Sequence, residues 1–155
     1  MIVFRKMSAE DTEMLTDVRV TVLRAANLLS DDADMSEIAE QSRLYYKRAL
    51  NDGSHTAYLA FDSEKVVGAG GVSYYTVMPT CDNVTGRKAY IMNMYTSPEY
   101  RRQGIALKML DLLVKDAKER GITHIALEAT AAGRPLYLKY GFVQMEHEMI
   151  LPKDE

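Results

Sequence analysis

Tyr95-Thr96-Ser97-Pro98-Glu99-Tyr100-Arg101-Arg102-Gln103-Gly104-Ile105-Ala106 leads from an apolar strand into the most regular helix of the chain. The helical pattern runs from Gly104 to Arg120. Ile105, Met109, Leu112, Leu113 and Ala117 form one apolar stripe, and Asp111 and Lys115 stand one turn apart on the solvent side. Gly121 stops it. The first amides of a helix lack internal acceptors and carry the positive end of the helix dipole, which makes the helix start an anion site. Gly104 lets a ligand approach the backbone, small Ala106 leaves room on the first turn, and Arg101 and Arg102 add permanent charge. On that reading the ligand is a phosphate or pyrophosphate. The same spacing reads equally well as a solvated turn before an ordinary helix. The stretch is not a P-loop, because no Lys-Ser or Lys-Thr follows the glycine. Gly68-Ala69-Gly70-Gly71 is no dinucleotide fingerprint either, and its glycines read as strand bulges or tight packing.

Outward from this stretch the pattern alternates between strand and helix. Ile2 to Met7 reads as a strand, and Ser8 as an N-cap with Asp11 as its capping-box partner. Met14, Leu15, Val18, Val22 and Ala25 predict a helix over 9–27. A second helix starts at Asp34 or Ser36 and ends at Asn51-Asp52-Gly53. Thr56 to Asp62 and Val66 to Tyr75 read as a hairpin, and Lys88 to Thr96 as the strand that enters the decisive loop. Downstream, Ile122 to Ala129 is a strand, Arg134 to Tyr140 a short helix stopped by Gly141, and Phe142 to Leu151 a last strand or strand pair. This order predicts a mixed α/β domain, with helices on both faces of a central sheet.

The 155 residues fit one domain spanning 1–155. With 47% apolar and 26% charged residues the chain can bury a core. Nineteen basic against 22 acidic residues argue against a general nucleic-acid binder. The single cysteine, Cys81, excludes a disulfide framework and a Cys-rich zinc site, so no metal is expected and a reducing, cytoplasmic setting is. No leader pattern and no apolar run near the ~20 residues of a membrane span are present, so no membrane partner is expected.

Arg101-Arg102-Gln103-Gly104-Ile105-Ala106 resembles the Arg/Gln-x-x-Gly-x-Gly/Ala acyl-CoA signature of the GNAT superfamily of N-acyltransferases. Tyr95 to Tyr100 resembles the segment that leads into that signature. Leu136-Tyr137-Leu138-Lys139-Tyr140-Gly141-Phe142 resembles the family's late Leu-Tyr-x-x-x-Gly-Phe helix and turn. The core of the resemblance covers 88–142. It implies a GNAT-like mixed sheet splayed at a cofactor cleft, where the strand ending at Thr96 parts from its neighbour near 123–129. Acetyl-CoA is the implied co-substrate. Backbone groups of Met94 and Thr96 would pair with the pantetheine arm as an added strand would, and amides from Arg102 to Leu107 (Gln103, Gly104, Ile105 and Ala106 among them) would hold the pyrophosphate.

The implied activity is direct transfer of an acetyl group to a primary amine. A lysine-like amine, with pKa ~10.4, must lose a proton to attack. A free amide near Met94 or Tyr95 would receive the charge that develops on the thioester oxygen. Tyr137, placed where the family's tyrosine stands, is the candidate proton donor to the leaving thiolate, with Tyr140 as runner-up. Glu128, late in the strand after the cofactor helix, is the candidate base, and strand alternation puts it opposite Ile125 and Leu127. His55, His124 and His147 are alternative bases without motif support. One departure stands out: Ala129 to Pro135 has no asparagine where many relatives carry one. Cys81 has no neighbouring histidine or motif, which disfavours a covalent intermediate.

The first two helices wall the acceptor site in this family. Their junction holds four carboxylates, Asp31, Asp32, Asp34 and Glu37, which would attract a cationic amine or simply cap helices. Tyr45, Tyr46, Tyr74 and Tyr75 read either as an aromatic wall or as core. The acceptor is therefore an amine on a small molecule, peptide or protein. The last strand offers one route to a homodimer. Two rival readings are a non-catalytic acyl-CoA-binding or sensor domain on the same fold, and an acyltransferase using a longer acyl-CoA.

Overall fold

The protein is described by a computed structural model covering residues 1–154. Strand β1 (Ile2–Lys6) is followed by a short 3-10 turn at Ala9–Asp11, then by helices α1 (Thr12–Ala26) and α2 (Ser36–Asp52). Strands β2 (His55–Asp62), β3 (Lys65–Thr76) and β4 (Arg87–Thr96) come next. Helix α3 (Ile105–Glu119), strand β5 (His124–Leu127) and helix α4 (Arg134–Tyr140) complete the order. The five strands form one sheet in the order β1-β2-β3-β4-β5, antiparallel except for the parallel β4–β5 pair. A parallel neighbour needs a crossover, and α3 provides it.

Each face of the sheet has its own core. On one side the α3 stripe of Ile105, Met109, Leu110, Leu113 and Ala117 packs on Val67, Val72, Ala89 and Ile91. The β3 glycines make this approach possible: a Cβ on Gly70 would lie 2.5 Å from Met109 Cγ, and one on Gly68 2.9 Å from Ile105 Cγ2. The Gly-rich run is therefore tight packing, as its sequence suggested. On the other side Leu15 and Val22 of α1 and Tyr46 of α2 pack on Ala57, Leu59, Phe61 and Ala69.

Local signals fold as their chemistry dictates. The Ser8 backbone N–H donates to Asp11 Oδ2 at 2.8 Å, completing the expected capping box. Gly53 ends α2 at φ +81°, and Asp111 and Lys115 pair at 2.9 Å. Two expectations need correction. The strand expected over 122–129 is only His124–Leu127, and Phe142 to Leu151 forms no strand. Glu146-His147-Glu148 breaks the apolar alternation there. Phe142 still packs against the α3 core, whereas Val143, Met149, Ile150 and Leu151 are exposed. The outer edge of β5 thus has no strand partner among the described residues, and the anticipated last-strand route to a dimer has no strand to supply it.

Candidate active site

The sheet opens between β4 and β5. Their ladder holds from Lys88 opposite His124 to Ile91 opposite Leu127, and there β5 ends. β4 continues for five more residues, from Met92 to Thr96, bonded only on its β3 side. Within this stretch β4 carries a bulge. Met92 faces Gly71 and Tyr95 faces Ala69, so Asn93 and Met94 have no register partner, and Asn93 sits in the left-handed region at φ +61°. An unpartnered strand edge with one residue lifted from the ladder can bond an extended ligand.

The start of α3 lies at the end of that edge. Gly104 is the N-cap at φ +81°, a conformation that costs a side-chain-bearing residue ~1–2 kcal/mol. Arg102 also takes positive φ, +63°. No side chain caps the helix, and none of the backbone N–H groups from Arg102 to Leu107 finds a partner among the described residues. Arg101, Arg102, Gln103 and Gly104 are exposed around them. The preceding turn is clamped to the β2–β3 hairpin. Ser97 N–H donates to Val67 O at 2.8 Å, Lys65 pairs with Glu99 at 2.9 Å, and the Tyr100 hydroxyl donates to Asp62. The amide cluster is thus held open in a fixed loop, a geometry that fits a pyrophosphate.

Tyr137 projects from α4 on the α3 side and packs against the same core as Met94 and Leu127. Its ring meets Phe142 edge-on, with centroids 6.1 Å apart. It also lies over Gly133, where a Cβ would come within 2.9 Å of Cε2. Its hydroxyl has no hydrogen-bond partner among the described residues, and burial raises its pKa above the ordinary tyrosine value. Tyr137, Ala129, Leu127 and Ile125 line a cavity of about 730 Å³. Tyr140, the runner-up, is occupied: its hydroxyl donates to Asp111 Oδ1 at 3.0 Å.

Glu128 lies just past β5 and is exposed. Ala89 and Ile91 face the α3 core. Alternation therefore turns Tyr90, its register partner Ala126, and Glu128 to the opposite face. Burial raises the Tyr90 pKa, and the charge of the neighbouring Glu128 raises it further. Tyr137 and Glu128 therefore flank the opening from opposite faces.

On the Glu128 face a second cavity, of about 250 Å³, lies between α1, α2 and the sheet, and Asn93 and Met92 form its β4 wall. His55 is buried inside it. Its Nδ1 is 2.9 Å from the Tyr45 hydroxyl and 3.2 Å from Ser73 Oγ, and those two oxygens are 2.7 Å apart. Burial, and then the nearby Arg19 cation, lowers the His55 pKa to about 4, so the ring is neutral at neutral pH. Arg19 Nη1 donates to Asn93 Oδ1 at 2.9 Å. Sequence reasoning named His55 only as an unsupported base and did not single out Arg19, Ser73 or Asn93. These residues come from four elements, and their spacing in sequence carries no motif.

Other candidates fall elsewhere. Tyr45 and Tyr46 wall the second cavity. Tyr74 faces α3, where its hydroxyl donates to buried Asp116, and Tyr75 is exposed. Asp31, Asp32, Asp34 and Glu37 are exposed and line neither cavity. Cys81 is exposed, and no cluster of metal-ligating side chains occurs among the described residues. No helix of the described residues is long and apolar enough to cross a membrane.

A model of the acetyltransferase (GNAT) family matches residues 22–142. Among solved structures, a predicted acetyltransferase with acetyl-CoA from Clostridium acetobutylicum shares 34% identity over 98% of this chain and 96% of that one, with a TM-score of 0.88. A GCN5-related N-acetyltransferase from Ralstonia eutropha shares 24% identity over 99% of both chains, with a TM-score of 0.83. An aminoglycoside acetyltransferase from an uncultured soil metagenomic sample shares 18% over 99% of both, with a TM-score of 0.74. A comparison with curated proteins finds no match.

Proposed function

Because the chain belongs to the acetyltransferase (GNAT) family, we propose that it transfers an acetyl group from acetyl-CoA to a primary amine in a direct, single-displacement reaction. The observation that carries this reading is the junction at Thr96. There an unpartnered strand edge runs into a clamped loop whose backbone N–H groups, from Arg102 to Leu107, are all unbonded. On this reading Met94, Tyr95 and Thr96 offer backbone groups to the pantetheine arm. Arg101, Arg102, Gln103, Gly104, Ile105, Ala106 and Leu107 surround the pyrophosphate. When bound, acetyl-CoA supplies the acetyl group as a thioester: the amine nitrogen bonds to the carbonyl carbon, the carbon–sulfur bond breaks, and the sulfur takes up one proton for the one the amine loses.

The chain's own groups then have distinct tasks. The bulge leaves Asn93 and Met94 without a register partner, and a backbone N–H there would receive the oxygen that gains charge. Tyr137 is protonated at neutral pH, as a tyrosine of ordinary pKa ~10 already is, burial raises that pKa further, and it donates its proton to the departing sulfur. Glu128, on the other face, accepts the amine proton directly or through water. No cysteine lies in either cavity, which favours direct transfer over an acyl-enzyme.

Thiol release from acetyl-CoA in the presence of primary amines tests the reading. Turnover that depends on the amine, and that falls ~100-fold or more in Tyr137→Phe, supports it. Saturable acetyl-CoA binding with no turnover on any amine would favour a non-catalytic acyl-CoA-binding domain. Faster turnover with longer acyl-CoA donors would replace acetyl by a longer chain.

A further inference from the structure

We infer that the acceptor amine also carries an anionic group, a carboxylate or a phosphate, which Arg19 binds in the cavity between α1, α2 and β4. The inference rests on the acyl-transfer reading above and names the class of its acceptor. Its first support is charge. The cavity is lined by one cation, Arg19, and by no carboxylate. Arg19 is half-buried and has no ion-pair partner among the described residues; its guanidinium bonds a neutral amide oxygen, Asn93 Oδ1, at 2.9 Å. A guanidinium has five N–H donors in a planar fork that matches a carboxylate or phosphate, and one bond to Asn93 leaves most of them free. An arginine in this setting attracts an anion and repels a polycation.

The second support is that the rest of the wall is mostly apolar and uncharged, which leaves Arg19 as the one charged group a ligand meets there. His55, Tyr45 and Ser73 bond one another, and His55 is buried against Gly71, where a Cβ would lie 2.7 Å from His55 Nε2. These groups are neutral and bond one another, so they add no charge of either sign to compete with Arg19. The third support is position. Arg19 is bonded to Asn93 itself, the residue that forms the β4 bulge. An anion on Arg19 therefore lies next to the place where the acetyl carbonyl is to be attacked. That geometry selects an acceptor with few bonds between amine and anion. The size agrees: about 250 Å³ is below the ~300–1,000 Å³ of drug-sized pockets. The acidic loop between α1 and α2, which sequence suggested as an attractor of cationic amines, contributes no side chain to this cavity.

The test is a steady-state comparison of matched acceptors with acetyl-CoA as donor. α-Amino acids are set against their carboxamides, O-phosphoethanolamine against ethanolamine, and spermidine serves as the polycation. The expected result is a kcat/KM at least tenfold higher for the anionic member of a pair. Which pair shows it identifies carboxylate or phosphate as the anion. In Arg19→Met that preference collapses, chiefly through a raised KM, and Arg19→Lys restores part of it. A thermal shift with acetyl-CoA, measured on the same variants, shows that they fold and separates the two claims. No shift in the wild type would overturn the acyl-transfer reading. A wild-type shift combined with equal or better use of the uncharged amines or spermidine would overturn the anionic acceptor alone. A preference for anions that survives in Arg19→Met would also overturn it, since the arginine would then not be its source.

Discussion

At the scale of single residues, half-buried Tyr137 and buried His55 carry opposite consequences. Burial moves the Tyr137 pKa further above the ordinary tyrosine value, and Gly133 beneath its ring leaves the space it occupies. Gly133→Ala should displace the ring and lower kcat with less effect on the KM for acetyl-CoA, a split that steady-state kinetics reads directly. His55 responds to acid. Its folded pKa of about 4 lies below the ~6.5 of an unfolded histidine. The unfolded chain therefore binds a proton, between those two pH values, that the folded chain refuses. The His55 contribution to stability is complete above pH ~6.5. It is lost progressively as pH falls toward 4, on the order of 3 kcal/mol in all. Thermal melts at pH ~7.5 and ~5 should show this loss, and the gap between them should narrow in His55→Gln. An unchanged gap would mean that His55 does not titrate as its burial requires. Tyr137 was singled out in the sequence by its motif, but the His55 cluster was not legible there: a histidine, a tyrosine and a serine at 55, 45 and 73 have no shared period or motif, and only the fold gathers them.

At the scale of elements, α3 does two jobs at its two ends. Its N-terminus presents the open amides, and its C-terminus is tied to the sheet. Asp116 is buried and accepts hydrogen bonds from Thr56 Oγ1 at 2.9 Å and from the Tyr74 hydroxyl. Lys6 Nζ stands at 3.3 Å and Arg120 Nε at 3.2 Å. Burial pushes the Asp116 carboxyl up, yet these hydrogen bonds and cations outweigh it and hold the pKa below the usual carboxylate value. The stability it adds is present above the ordinary carboxylate pKa and is lost as pH falls through the lowered one. Asp116→Ala leaves the Thr56 and Tyr74 hydroxyls without their acceptor and should cost about 1–3 kcal/mol in a denaturant titration. At the other end, Gly104→Ala places a Cβ at φ +81°. It should destabilise the fold by about 1 kcal/mol and weaken acetyl-CoA binding as the amides shift. Both ends of α3 were readable in advance, because its apolar period and its glycine stops are strong local signals. The β4 bulge was not. An Asn in positive φ looks, in sequence, like any polar residue at a strand position.

At the scale of the whole molecule, the fold leaves the end of β4 unpartnered beside β5 and encloses a small cavity between the sheet, α1 and α2. Met92 and Asn93 form the β4 wall of that cavity, and the bulge that carries Asn93 lies on the open strand edge. The order of elements was legible up to Phe142, since each strand alternates and each helix has a start or stop signal. Beyond it the run of Val143, Met145, Met149, Ile150 and Leu151 suggested a strand, but a strand needs a ladder partner, which no local pattern supplies. The last backbone hydrogen bond in that direction is from Phe142 N–H to Tyr137 O at 3.0 Å. Hydrogen exchange should therefore find the amides of 143–151 unprotected while those of β2 and β3 are slow. Protection across 143–151 would mean that this segment pairs with the free edge of β5, in its own chain or in a second copy.

The measurement that bears most directly on the account is a thermal-shift titration with acetyl-CoA, with dephospho-CoA and a bulkier acyl-CoA alongside. A ligand that binds only the folded state raises the melting temperature with its concentration. The account predicts a saturable rise with acetyl-CoA, and a smaller one in Gly104→Ala. No rise at millimolar acetyl-CoA would contradict it, and Arg101 to Ala106 would then be an ordinary turn at the start of a helix.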